Sequence, residues 1–95
     1  MRLRDVIARL DELGDDETIY AQSAAAEARA LVAAEPDDGS VPAGAEGLSS
    51  LLEVDAAREA IAVWRAWRPG QTPTLDDKVA AVAYYARNDA WLPVE

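Results

Sequence analysis

Leu3, Val6, Ile7, Leu10 and Leu13 recur at helical spacing, with Arg2, Asp5, Arg9 and Glu12 between them. The chain therefore opens with an amphipathic helix, and Gly14 is placed to end it. Asp5 and Arg9 stand four apart on the polar side, an ion pair worth roughly a few tenths of a kcal/mol. After the turn residues Gly14, Asp15 and Asp16 the pattern changes. Thr18, Ile19 and Tyr20 favour a pleated, half-buried position and predict a short strand over Glu17 to Ala21. Gln22 to Glu35 is ambiguous, because its seven alanines favour helix while Leu31 and Val32 sit side by side without a helical stripe. A strand over Arg29 to Ala34 is the preferred assignment, with a helix over Ser23 to Ala34 as the alternative, since Pro36, Asp38 and Gly39 break either abruptly. Pro36 to Gly47 holds three Gly, two Pro and three acids and reads as a mobile surface loop without apolar residues to pack.

The strongest helical stripe starts at about Leu48 or Leu51 and runs to Trp67. At about 100° per residue, Leu52, Ala56, Ala57, Ala60, Ile61, Val63, Trp64 and Trp67 share one apolar face, and Asp55, Arg58, Glu59, Ala62, Arg65 and Ala66 take the other. Both tryptophans then point toward the core. Glu53 falls inside the apolar arc, an unusual place for a carboxylate unless a donor waits there. Pro69 and Gly70 stop this helix. Thr74 to Asp77, TLDD, fits the capping-box pattern, so a last helix starts near Leu75, with the Thr74 hydroxyl accepting from the Asp77 amide. Leu75, Val79, Val82, Ala83 and Ala86 form its inner stripe, with Tyr85 at the edge and Tyr84 nearly opposite. Asn88 or Asp89 ends it, and Trp91 and Leu92 are expected to fold back onto the core. The sum is a small single α+β domain over residues 1–95, with three helices and a two-stranded sheet; an all-α bundle is the alternative. A two-stranded sheet is marginal alone. Helices covering one face, or a homodimer through the edge strand, would relieve it.

Composition narrows the chemistry. The 95 residues include no Cys and no His, which removes disulfides, thiolate metal sites and the usual neutral-pH acid–base group. No metal and no other cofactor is implied. Phe is absent as well, so Leu, Val, Ile, three Trp and three Tyr supply the packing volume. No apolar run approaches the roughly 18 residues of a membrane span. MRLRDVIARL carries acids and arginines where a signal peptide needs an apolar stretch, so a cytoplasmic location is expected. The net charge is −9, and Met1 to Gly47 holds eleven acids against four bases. Such a field repels nucleic acid and anionic membrane and attracts a basic protein. The cluster Asp11, Glu12, Asp15, Asp16 and Glu17 lacks the alternating ligands and closing Glu of a calcium loop and reads as a solvated helix end.

Trp64 to Leu75, WRAWRPGQTPTL, concentrates aromatic and basic residues. As structure it is a helix end, a turn and a helix start, with Arg65 and Arg68 suited to the negative end of the helix dipole. As a contact patch it offers Trp67 and Arg68, joined by Tyr84, Arg87 and Trp91, since Trp, Tyr and Arg are enriched at protein contact hot spots.

LLEVDAAREAIAVW, PTLDDKVAAVAYYARNDA and EPDDGSVP together cover much of Arg29 to Ala90. In these segments the chain resembles a group of small uncharacterised bacterial proteins that share an L-E-V-x-x-A-R-E helix and a P-T-L-x-x-K…Y-A-x-x-D-A helix. The resemblance implies a bacterial origin, a shared fold and a strand at Ala30 to Ala34, and it implies no mechanism. Glu53, Arg58, Glu59, Lys78, Tyr85 and Asp89 are the residues of that pattern. They serve either as ion pairs and caps around two packed helices or as a small polar site in which Glu53 and Lys78 meet as base and electrostatic stabiliser. The expected function is a non-catalytic protein–protein interaction module of immunity, antitoxin or adaptor type, with a basic protein as partner. The alternatives are a small ligand-binding protein or enzyme using Glu53, Lys78 and Tyr85, and an acidic DNA mimic. Direct binding of nucleic acid or membrane is not expected.

Overall fold

Strand β1, Glu17–Ala21, runs down the middle of a three-stranded antiparallel sheet, flanked by β2, Ala30–Ala34, and β3, Ser49–Glu53. The computed structural model describes residues 1–34 and 44–93. Among these, helices α1, Leu3–Ala8, α2, Val54–Ala66, and α3, Leu75–Asn88, complete an α+β domain. The register sets Ile19 opposite Val32 and Leu52. Ile19 is fully buried in the main core with Leu3, Val6, Ile7, Val54 and Val82 from the three helices. Successive strand residues face opposite ways, so Tyr20 looks away from the helices and packs with Ala45 and Leu48 in a second, smaller cluster. Both faces of β1 are therefore covered, which is why Thr18 to Ala21 are all buried in so small a chain.

The third strand corrects the expected two-stranded sheet. Ser49 to Glu53, assigned from sequence to the start of the long helix, pairs instead with β1, and α2 begins only at Val54. Local pattern hides this junction because no turn residue separates strand from helix; pairing with β1 satisfies the backbone of a segment whose propensity is indifferent. Glu53 is thus exposed at the strand–helix junction, as N-cap residue of α2, and does not lie within an apolar arc. The first helix is also shorter than expected. It stops at Ala8 and continues as a 3-10 turn over Leu10–Glu12, which keeps Leu10 in the core. The expected Asp5–Arg9 pair is replaced by two others: Asp5 accepts from the Arg2 amide at 3.1 Å, and Arg9 faces Glu12 at 3.7 Å.

Only one of the two helix-end tryptophans is a core residue. Trp64 is buried, whereas Trp67, the C-cap of α2 beyond its last packed turn, is 45% exposed. The capping box at α3 matches expectation: Thr74 Oγ1 accepts from the Asp77 amide at 3.1 Å while Asp77 Oδ2 accepts from the Thr74 amide at 2.9 Å. α3 ends at Asn88, with Asp89 in the left-handed conformation as its cap. Trp91 returns onto the helix and stacks on Tyr85 at 4.6 Å between ring centroids. Residues 36–43 of the expected mobile loop lie outside the described residues. Its end does contribute to packing: Ala45, between Gly44 and Gly47 at φ 89° and 81°, is fully buried.

The sheet-edge homodimer loses its original argument. A third strand supplies the missing pairing, and the start of β2 is met by the chain terminus, where the Ala30 amide donates to Met1 O at 2.7 Å. On β3 the register shift leaves Leu51 as an extra residue opposite β1, a bulge that twists an edge away from regular pairing.

Candidate functional site

The packing of α1, α2 and α3 leaves two hollows of opposite charge on two flanks of α2. The first is a cleft of about 150 Å3 where the end of α1 and its 3-10 turn meet α2 and the first turn of α3. Ile7, Leu10 and Ile61 give it an apolar floor, and Arg58, Arg65 and Lys78 bring three cations to its wall, with Asp11 the single carboxylate. Helical spacing explains the wall, since Arg58 and Arg65 lie two turns apart on one side of α2.

Arg58 has a structural duty. Its guanidinium reaches 48 residues back along the chain and donates to Leu10 O at 2.9 Å from Nη2 and 3.3 Å from Nε, and also to Leu13 O. Leu10 O also accepts from the Leu13 amide at 3.2 Å within the 3-10 turn, whereas Leu13 O, just past its end, has no other donor among the described residues. The guanidinium pairs with Asp15 as well. Sequence periodicity placed Arg58 on the outer face, yet its side chain is only 29% exposed.

The second hollow is a shallow, open depression of about 450 Å3 where β3 passes into α2 beside the end of α3. Glu53, Asp55, Glu59 and Asp89 surround it, with Ser50 and Tyr85. Among the described residues none of these four carboxylates accepts a hydrogen bond or an ion pair, and no group of three or more acids is placed to hold a metal ion. Tyr85, the aromatic residue of this lining, is backed by its stack on Trp91.

The structure therefore separates the residues that sequence reasoning joined. Glu53 lines the depression and Lys78 the cleft, and the two hollows share no lining residue, which leaves a Glu53–Lys78 acid–base pair without a common site. Tyr85 belongs with Glu53. The expected patch around Trp67 is only partly available: Arg68 lies over the Trp64 ring at 4.7 Å and donates to Trp64 O and Pro93 O, which ties α2 to the tail. Arg87 donates to Ala24 O at 2.9 Å, and Tyr84 is half-buried and lines neither hollow. Asp55 and Arg65 were not among the expected site residues. Asp55 had a legible signal, because it stands four before Glu59 and like charges at that spacing oppose a helix. Among the described residues no helix is long and apolar enough to cross a membrane. Compared with known protein families, curated proteins and solved structures, the chain finds no match.

Proposed function

We propose that the chain is a non-catalytic interaction module of a bacterial cytoplasm that receives a basic segment of a protein partner on the depression between β3, α2 and α3. The observation that carries this reading is the set of four carboxylates, Glu53, Asp55, Glu59 and Asp89, unpaired among the described residues and sharing a depression with Tyr85, which stacks on Trp91. Carboxylates attract and orient Lys or Arg, and an aromatic face adds cation–π attraction for the same groups. The net charge of −9 steers such a partner from a distance. The carboxylates form a compact cluster and not the double row that would imitate a nucleic-acid backbone, which favours a basic protein segment over a DNA-mimic role.

Penta-arginine is a suitable probe, followed by amide and indole chemical shifts at low salt. Shifts concentrated on Glu53, Asp55, Glu59, Tyr85 and Asp89 and on the Trp91 indole are expected. The variant E53Q/E59Q/D89N should weaken binding roughly tenfold, about 1.4 kcal/mol spread over three partly screened charges. D16N/E46Q/D76N removes equal charge elsewhere and should weaken it by less than roughly threefold. Equal weakening in both would mean that only the overall field acts, and the reading would be lost.

A further inference from the structure

The chain has nine basic residues against eighteen acids, so a cation without a partner is the exception here. Arg2 and Arg4 pair with Glu27, and Arg9 with Glu12. Arg29 donates to Glu46 O, Arg68 to Pro93 O and Arg87 to Ala24 O, and Arg58 holds Leu10 O, Leu13 O and Asp15. Two cations are left. Among the described residues the side chains of Arg65 and Lys78 make no ion pair and no hydrogen bond, and both line the cleft between α1, α2 and α3.

Carboxylates outnumber them throughout the molecule, yet the one that shares their cleft, Asp11, forms no pair with either. The lining keeps a net positive charge within a strongly negative chain. Beneath the cations lie Ile7, Leu10 and Ile61, whose atoms form the core roof at this point. Low-dielectric walls strengthen the attraction between a bound anion and its cations relative to open solvent. A planar guanidinium holds a carboxylate or phosphate by two parallel bonds, and an ammonium adds a point charge. The cleft of about 150 Å3 has room for about five waters at liquid density, which suits a small molecule and not a polymer.

We propose that this cleft binds a small organic anion, its carboxylate or phosphate head held between Arg65 and Lys78 and a short apolar tail laid on Ile7, Leu10 and Ile61. The site lies on the other flank of α2 from the acidic depression and stands independently of the interaction proposed there. Asp11, the carboxylate in the same lining, disfavours a second anionic group on the ligand. Arg58 contributes field but little direct contact, because its donors are already committed.

The test is a pair of titrations followed by amide chemical shifts at constant ionic strength, with butyrate and propyl phosphate as probes and acetate and inorganic phosphate as their counterparts without a tail. At least one tailed probe should saturate, with shifts confined to Leu10, Asp11, Arg58, Ile61, Ala62, Arg65 and Lys78. It should bind at least roughly fivefold more tightly than its tailless counterpart, rising at full burial to roughly fifteenfold for the two carbons that butyrate adds and roughly sixtyfold for the three of propyl phosphate. R65Q/K78Q should weaken it at least roughly tenfold. Neither side chain makes a hydrogen bond or ion pair with another described residue, so the variant's spectrum away from the cleft should stay unchanged. Shifts that grow linearly and match those of chloride would overturn the proposal, as would a tail without effect or equal binding in R65Q/K78Q.

Discussion

The cleft and the depression sit on two flanks of one helix, and they differ in what a charged residue there does for the fold. On the cationic flank Arg58 is bound into the architecture: three donors reach carbonyls at the end of the α1 segment, and its side chain is 29% exposed. On the acidic flank Glu53, Asp55, Glu59 and Asp89 are all exposed and hold nothing among the described residues. Scarce cations in an acidic chain are largely consumed in tying segments together, while its abundant carboxylates remain for contact. Charge count alone misleads here, because it is commitment to backbone groups that separates support from surface.

Replacing Arg58 should therefore have the largest effect on stability. Arg58→Met keeps much of the apolar stem but leaves Leu13 O without a donor among the described residues and Leu10 O with the Leu13 amide alone. A loss of about 2 kcal/mol is expected from urea unfolding, the scale of a charged hydrogen bond to groups that folding has partly desolvated. A loss below about 0.5 kcal/mol would mean that water replaces the guanidinium freely, and the contrast between the flanks would fail. Next comes Thr74→Ala, which removes the hydroxyl half of the α3 capping box and frays the turn that carries Lys78. It should cost about 1 kcal/mol by the same measurement. Because the Lys78 amide donates to Thr74 O at 3.0 Å, amide exchange should quicken at Lys78 before it does at Val82 in the core.

These residues also show what the sequence made legible. β1 and the start of α3 could be placed from local chemistry: a Gly–Asp–Asp turn before Thr18, Ile19 and Tyr20, and a hydroxyl three residues before a carboxylate at Thr74 and Asp77. β3 could not, since SSLLE runs directly into α2 and is a strand only because β1 has a free edge to pair with. For the candidate sites the division is similar. Glu53, Glu59, Tyr85 and Asp89 were visible as residues of a motif, but their convergence depends on α2 and α3 running side by side with the start of one near the end of the other. The cleft was less visible still. Arg58 and Arg65 read as outward-facing because helical periodicity knows only one packing partner, and α1 with its 3-10 turn supplies a second one on that side of α2.

The smallest predicted effect discriminates most sharply between a welded and a merely electrostatic Arg58. Asp15 pairs with the guanidinium but is 75% exposed, so its charge is well solvated and screened. Asp15→Asn should cost no more than about 0.5 kcal/mol, and a double-mutant cycle with Arg58→Met should give a coupling of similar size. Most of the Arg58 effect would then survive in Asp15→Asn, which assigns it to the two carbonyls. If instead Asp15→Asn costs as much as Arg58→Met and both losses shrink in high salt, the ion pair is the support. Arg58 would then be held no more firmly than the surface arginines that face Glu27, and the two flanks of α2 would differ only in sign.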